Sequence, residues 1–474
     1  MARFQADRPA MVQIGDFAPD NPSVDPSLVL DMTGAVPRQG GYSAHNAPTP
    51  YASALPETPL GGYVAMYGDG TVSVLAAGPT HIYRWNGSTW NVAGGPYVVA
   101  QRWRFTQFND DVIAFNGDIA APQVAAGPAG TFANLGGGPP LNMIGGISVG
   151  GVLVGYVGPA WANSAAGTDN NWAPNVQTQA GSGTLYDYPG NIVAAASFFR
   201  QQMVFKAASM YVLAYIGQDT IWQNQLASNA TGTWGWESVV IGPEAVYFIG
   251  NDDFYMTQGY APTRLPGLNG PNGVRRWFFA NVYRDAFNNP IYLKNTLGWY
   301  DPENAVVNWY WVSNQAPYPG VPDRVISFNV RSNRWATDYL NTRYVIPNTQ
   351  PGLTGGLYFD MSNVLQTWTG TPTVMGLLTG YMGDASNMTQ LLKAKPVYKA
   401  SESNQIGLPT GQQLTPLSVY VMGDTDRVDD PGALADDGYF YFRATNKYHR
   451  LHLITQGPTE VQAWAFEART AGNR

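Results

Sequence analysis

The sequence predicts an all-β fold with three parts: an extended N-terminal arm, a β-propeller-like body and a C-terminal β-sandwich domain. Three observations carry that expectation. Short apolar runs are separated by Gly, Asn and Asp turns through the whole middle of the chain. The interval 65–372 holds 308 residues, and seven units would take 44 each, within the range of roughly 40–45 residues at which propeller blades recur. Only 12% of residues are charged while 53 are glycine and 35 proline, a composition suited to many short strands and tight reversals.

Residues 1–62 form the arm. Nine prolines between Pro9 and Pro59 remove backbone donors and fix φ, which disfavours long regular elements. Val12, Ile14, Phe17, Leu28, Val29 and Leu30 are spaced as anchors for a segment laid over another domain or a neighbouring subunit. A disordered tail is the other reading.

Residues 63–374 form the body. YVAMYGDGTVSVLAAG (63–78) reads as strand, turn, strand, and in THIYRWNGSTW (80–90) Asn86-Gly87 is a hairpin signal between Trp85 and Trp90. The pattern returns at RWRFTQFNDDVIAFNG (102–117), GVLVGYVG (151–158), QQMVFKAASMYVLAY (201–215), EAVYFIGNDDFYMTQG (244–259), AVVNWYWVSN (305–314), RVISFNVRSNRWATDY (324–339) and GGLYFDMSNVLQTWTG (355–370). NIVAAASFFRQQMVF (191–205) reads as helix or strand; its Val and Phe favour strand. A radial arrangement buries both faces of each sheet and leaves only short outer edges. A sandwich or several barrels are the competing arrangements.

Residues 375–474 form the last domain. Tyr439, Tyr441 and Arg443 alternate with Phe440, Phe442 and Ala444, and Arg450 and His452 with Leu451 and Leu453. That is the period of a half-buried strand.

Charge and composition limit function. A net charge of −7 and the absence of cysteine argue against non-specific nucleic-acid capture and exclude thiolate chemistry. The most apolar interval, GGISVGGVLVGYVG (145–158), is shorter than the roughly 20 residues a membrane helix needs. The N-terminus has no apolar run of the secretory type.

Chemistry-bearing patterns are few. GISVG (146–150) matches a serine-nucleophile motif at Ser148, with Asp169 and His449 in the matching chain order, but such a serine requires a following helix and GVLVGYVG is poor in helix formers. Of His45, His81, His449 and His452, only the last two are close, and their spacing puts them on opposite faces of a strand. DTDRVDDPGALADD (424–437) is rich in hard oxygen ligands but breaks the EF-hand plan at Asp429 and Ala435, leaving a solvated turn or an irregular calcium loop. Asp110/Asp111 and Asp252/Asp253 sit in recurring Asn-Asp phrases; we read them as turns at equivalent positions of a repeating unit, whose side chains cap their own backbone. Arg275-Arg276 beside Trp277 is too small for a nucleic-acid face. Trp85, Trp90, Trp103, Trp222, Trp234, Trp236, Trp309, Trp311, Trp335 and Trp368 either fill the gaps between blades or, if exposed, form stacking platforms for sugars.

The flanks carry a resemblance. DMTGAVPRQGGYSAHNAPTPY (31–51), FNDDVIAFNGDIAAPQV (108–124) with FANLGGGPP (132–140), and the closing YFYFRATNKYHRLHLITQG with VQAWAFEARTAGNR (439–474) resemble short-tailed phage tail nozzle proteins, also called tail tubular protein B, and the related packaged-DNA stabilisation proteins. The resemblance implies an arm, a propeller-like body and a C-terminal β-domain. It also implies a structural virion protein in the phage tail, assembled in the host cytoplasm as a six-fold homo-oligomeric ring. That ring meets the head-to-tail adaptor and the tail fibre or needle proteins. It retains packaged double-stranded DNA, which passes its channel at ejection, with no catalysis and no cofactor.

No gate residue can be matched to the family. The long polar stretch 159–189 is the sequence's candidate for a channel or intersubunit loop through Asn163, Asp169, Asn170, Asn171, Trp172, Gln177 and Gln179; a plain surface excursion is its alternative. Two other functions stay open. A carbohydrate- or receptor-binding propeller requires exposed tryptophans around a pocket, and a propeller glycoside hydrolase requires two carboxylates facing each other across one.

Overall fold

The computed structural model describes residues 10–21, 24–217, 221–266, 273–348, 355–383, 387–399, 413–414, 418–421, 427–429, 435–457 and 460–472. Within them, four-stranded antiparallel sheets occur seven times. Their first strands are Gly61–Met66, Arg104–Phe108, Gly145–Val149, Ile192–Phe198, Val240–Ile241, Leu297–Asp301 and Tyr344–Val345. Each first strand lies against the first strands of the sheets before and after it, and Tyr344–Val345 comes back against Gly61–Met66. The seven strands therefore encircle an axis. The body is a seven-bladed β-propeller.

The ring is closed by a segment that the sequence reading assigned to the arm. Thr49–Ala54 pairs antiparallel with Val364–Thr367 and supplies the outermost strand of the seventh blade. Two distant parts of the chain thus share one sheet. Opening the ring costs those backbone hydrogen bonds together with the packing of Ala52, Leu55, Leu357 and Leu365.

Buried tryptophans fill the gaps between blades, and four of their indole N–H groups cross those gaps, whereas Trp234 is exposed. Trp103, on entry to the second blade, donates to the Gly78 carbonyl of the first at 3.0 Å. Trp90 donates to Ser53 of the seventh at 2.8 Å. Trp222 of the fourth reaches Asn163 Oδ1 of the third at 3.1 Å, and Trp309 of the sixth reaches the Ser238 carbonyl beside the fifth at 2.9 Å. A buried indole N–H left without an acceptor costs about 1–3 kcal/mol, so each of these rings both packs and sets register.

Two more sheets face each other beyond the body. One contains Ala10–Gln13, Ala35–Pro37, Tyr42–Ala44, Met388–Tyr398, Phe440–Asn446 and Val461–Gly472; the other is built on Val29–Thr33, Val374–Thr379 and Tyr448–Gln456. Arm strands belong to both. Met32, Tyr42, Leu377, Leu391, Phe440, Leu453 and Trp464 share one continuous core with Phe254, Phe278, Trp309 and Trp335 of the propeller side. The arm is also bolted to the sixth blade. Arg334 Nη1 donates to the carbonyls of Ile14 and Gly15 at 3.0 and 2.8 Å, Asn329 to that of Pro37 at 3.0 Å, and the Gly34 N–H to Asp338 Oδ1 at 2.8 Å.

The structure decides one open reading for strand and corrects another. NIVAAASFFRQQMVF is a hairpin, Ile192–Phe198 paired with Gln201–Lys206, because its β-branched and aromatic residues bury both faces of a blade. The recurring Asn-Asp phrases are turns but not at equivalent positions. Asn109–Asp111 joins the first and second strands of its blade, whereas Asn251–Asp253 joins the second and third of another, at the opposite end. Asn-Asp chemistry suits any tight reversal, so the phrase marks a turn without saying which. The only α-helix among the described residues is Val274–Asn281, between the fifth and sixth blades.

Candidate functional site

The first strands surround a cavity of about 470 Å³ on the propeller axis. All seven run in the same direction, so residues at their starts form its floor and residues at their ends form its mouth. Trp236 and Glu237, in a single 3-10 turn before the fifth blade, reach the floor with Arg104 and Tyr344. Arg104 Nε lies 3.2 Å from Glu237 Oε1, its Nη1 donates to the Ile144 carbonyl at 2.6 Å, and its guanidinium sits 5.3 Å from the Trp236 ring centroid. Arg102 Nη1 is 3.8 Å from the other Glu237 oxygen, and its guanidinium lies over the Tyr344 ring. Burial pushes the Tyr344 phenol well above its ordinary range. Two arginines thus share the single Glu237 carboxylate, and Arg102 also donates to the Asn295 carbonyl at 3.1 Å. Arg104 and Glu237 line the cavity beside Trp236 and Tyr344.

Two amides close the wall on one side. Asn348 Oδ1 accepts from the Val64 N–H at 3.0 Å and its Nδ2 donates to the Val64 carbonyl at 2.6 Å. Gln107 does the same for Met66, at 3.2 and 2.7 Å. A first strand has only one hydrogen-bonded neighbour, so its inner edge carries unpaired backbone groups. Here neighbouring blades supply the partners. Close approach matters on this wall: a Cβ on Gly62 would meet Ile346 Cγ1 at 2.8 Å.

The other residues singled out from the sequence fall elsewhere. Ser148 does line the cavity, on a first strand that reverses at Gly150-Gly151 into a second strand, so no helix follows it. Asp169 lies in the connection after Ala160–Asn163, and His449 is buried in the terminal domain with Nε2 within 3.1 Å of both Thr389 oxygens. No triad forms. His449 and His452 take opposite faces of Tyr448–Gln456, while His45 follows Tyr42–Ala44 and His81 precedes Ile82–Trp85. Among the described residues no three His, Asp or Glu side chains form a metal-sized group. Of the 424–437 acidic loop, residues 424–426 and 430–434 lie outside the described residues; Asp437 accepts from the Tyr439 N–H and the Tyr441 hydroxyl at 3.1 and 2.6 Å.

Asp110 and Asp252 do not meet. Asp110 caps the first blade, while Asp252 accepts from the Tyr255 hydroxyl at 2.8 Å and pairs with Arg264 at 3.3 Å. Arg275 Nε donates to the Asp252 carbonyl at 2.6 Å, so that arginine serves the same turn.

The 164–180 connection joins the third and fourth strands of its blade and lies over the second blade. Trp172 N–H donates to the Gly137 carbonyl at 3.1 Å, and its indole to the Asp169 carbonyl at 2.6 Å. Asn163 is buried at its base, donating to the Ser164 and Gln179 carbonyls at 2.7 Å. Asn170 and Gln177 are exposed, Asn171 and Gln179 half-buried. None of the seven residues borders the propeller's own axis.

The sequence reading missed Arg102, Arg104 and Glu237. The available signal was charge set among tryptophans in a charge-poor chain: two arginines flanking Trp103 in RWRF and the lone acid of TWGWE. It also missed Glu57, which follows the closing strand. Glu57 accepts from the Thr80 N–H at 2.8 Å, the Thr80 hydroxyl, the Tyr83 hydroxyl at 2.6 Å and His81 Nδ1 at 2.9 Å. Burial pushes this carboxyl up, but those hydrogen bonds outweigh it and hold it at about 2.

No family model and no curated protein sequence matches the chain. Among solved structures, it is similar to the beta-propeller domain of Swd1 from Myceliophteria thermophila, at 7% identity over 69% of this chain and 100% of that one, with a TM-score of 0.41. It is similar to YCF48 from Cyanidioschyzon merolae, at 9% identity over 68% and 98%, with a TM-score of 0.42. A third is the computationally designed Ika8 protein, at 8% identity over 68% and 99%, with a TM-score of 0.38. The propeller assignment rests on the strand pairing described above.

Proposed function

We propose that the chain is a structural virion protein of a tailed phage, a ring-forming tail nozzle or hub that retains packaged DNA and forms the channel for its ejection. The observation that carries this reading is the architecture. An arm threads both sheets of a terminal β-domain, is bolted to the sixth blade and then closes the propeller, the three-part layout that the flanking residues resemble. A subunit tied together in this way transmits load between its neighbours with little internal give.

Charge supports the same reading. Duplex DNA grips surfaces rich in Lys and Arg, with affinity set by the number of phosphates neutralised. A wall with few such residues lets DNA slide. Because Arg104, Glu237 and Trp236 occupy the floor of the propeller axis, the DNA path in this proposal runs along the ring axis between subunits. Exposed aromatic residues lie at both ends of the propeller, Phe199 and Tyr260 at one and Phe287 and Tyr318 at the other. They suit contacts to copies of the chain and to the adaptor above or the fibre or needle proteins below. No helix among the described residues is long and apolar enough to cross a membrane.

Electron microscopy of the purified protein tests the proposal. Rings of about six copies around a hole wide enough for duplex DNA support it, as expected for closed heterologous assembly. Isolated single particles under all conditions contradict it.

A further inference from the structure

We propose that the axial cavity is a binding site for a small neutral polyhydroxylated molecule of the monosaccharide class. This inference stands apart from ring assembly. A cavity of about 470 Å³ falls in the size range of ligand pockets, with room for a sugar-sized molecule and not for a polymer.

Its walls are chemically unequal. The side formed by the seventh, first and second blades is closed to hydrogen bonding by Asn348 and Gln107, whose amides are spent on Val64 and Met66. That side presents Tyr63 and Phe105, stacked with centroids 6.1 Å apart. Among the described residues no side chain caps the inner edges of residues 146–148 or 195–197 on the third and fourth blades, where Ser148 and Ser197 also border the cavity. One wall is therefore aromatic and backbone-satisfied. The opposite wall offers hydroxyls and unpaired peptide groups.

A pyranose has the matching asymmetry. Its C–H faces pack on aromatic rings, and its hydroxyls, each both donor and acceptor, suit serine hydroxyls and strand edges. The charge balance selects a neutral ligand. Arg104 and Glu237, the charged residues bordering the cavity, are paired with each other, and the second arginine on Glu237, Arg102, does not border the cavity and donates to the Asn295 carbonyl at 3.1 Å, so an acidic or basic sugar would be desolvated there with no free counter-ion.

The test is titration of the full-length protein with a panel of neutral hexoses, N-acetylhexosamines and uronic acids, read by tryptophan fluorescence and by ligand-detected NMR. Saturable binding of at least one neutral member is expected, with the corresponding uronic acid weaker. Ser148→Ala combined with Ser197→Ala should weaken it about tenfold or more, the scale of two neutral hydrogen bonds. Ser148→Phe, which fills the cavity, should abolish it. Should Ser148→Phe fail to fold, the double alanine variant decides alone. Absence of saturation for every neutral member up to roughly 100 mM, where even the weakest specific sites respond, overturns the proposal. So does preference for the charged sugar, or binding that the double alanine variant leaves unchanged.

Discussion

Asp110 Oδ1 accepts the backbone N–H of Gly68 at 2.7 Å, joining the first turn of the second blade to the first turn of the blade before it. The acid of a conspicuous sequence phrase thus fastens two repeats together. Its companion Asp111 is pushed up by burial and by the nearby Asp169 and Asp110 carboxylates. Replacing Asp110 with Ala should destabilise the protein by about 1 kcal/mol, the scale of a partly exposed hydrogen bond to a charged acceptor. Asp110→Asn, which keeps an acceptor oxygen, should cost less. Urea unfolding of the two variants checks the order; equal losses would contradict the cap.

That turn shows what could and could not be read in advance. Strand-turn-strand texture, the Asn86-Gly87 reversal flanked by Trp85 and Trp90, and the tryptophan filling were all legible, because turn chemistry and aromatic burial are local properties. The closing strand was not. TPYASA carries a proline and little alternation, and its partner lies more than 300 residues away. Nor was the position of each turn within its blade, since Asn109–Asp111 and Asn251–Asp253 satisfy the same local rules at opposite ends. The axial floor was hidden for a similar reason: Arg104 and Glu237 are 133 positions apart and meet only because seven strands converge.

Asn348 holds the seam between the last blade and the first. Asn348→Ala removes both amide bonds to Val64 and should cost about 1–3 kcal/mol, the scale of two hydrogen bonds lost at a strand edge. Hydrogen exchange should rise first in Gly61–Met66. Uniform exchange across all blades would mean the seam is not a weak point.

Glu57 gives a pH signature. Its carboxyl is held at about 2 in the folded protein, against roughly 4.3 when unfolded. A depressed acid contributes stability that is present above the unfolded value and is lost as pH falls through the folded one. The wild-type advantage over Glu57→Gln should be constant above about pH 5 and shrink between about 4.3 and 2. Melting temperatures measured across that window check it; an advantage that grows on acidification would refute the assignment.

Lys206 is buried, and its ammonium donates to the carbonyls of Leu185 and Tyr188 at 2.6 Å each, tying the fourth blade to the linker that leads into it. Burial pushes this amine down, and Asp187 opposes that. Lys206→Met keeps the length but strands both carbonyls. It should cost about 2–4 kcal/mol, as for charge-assisted bonds lost in an interior site. Chemical denaturation reads the loss directly, and a variant as stable as wild type would show the carbonyls to be solvated instead.

The central claim is that this closed, charge-poor subunit works as a member of a ring. Its most direct test is the mass of the purified protein in solution across a wide concentration range. We expect a discrete species near six times 51.4 kDa that persists on dilution. A chain that stays monomeric throughout, and does not join a phage tail when supplied to one, would contradict it.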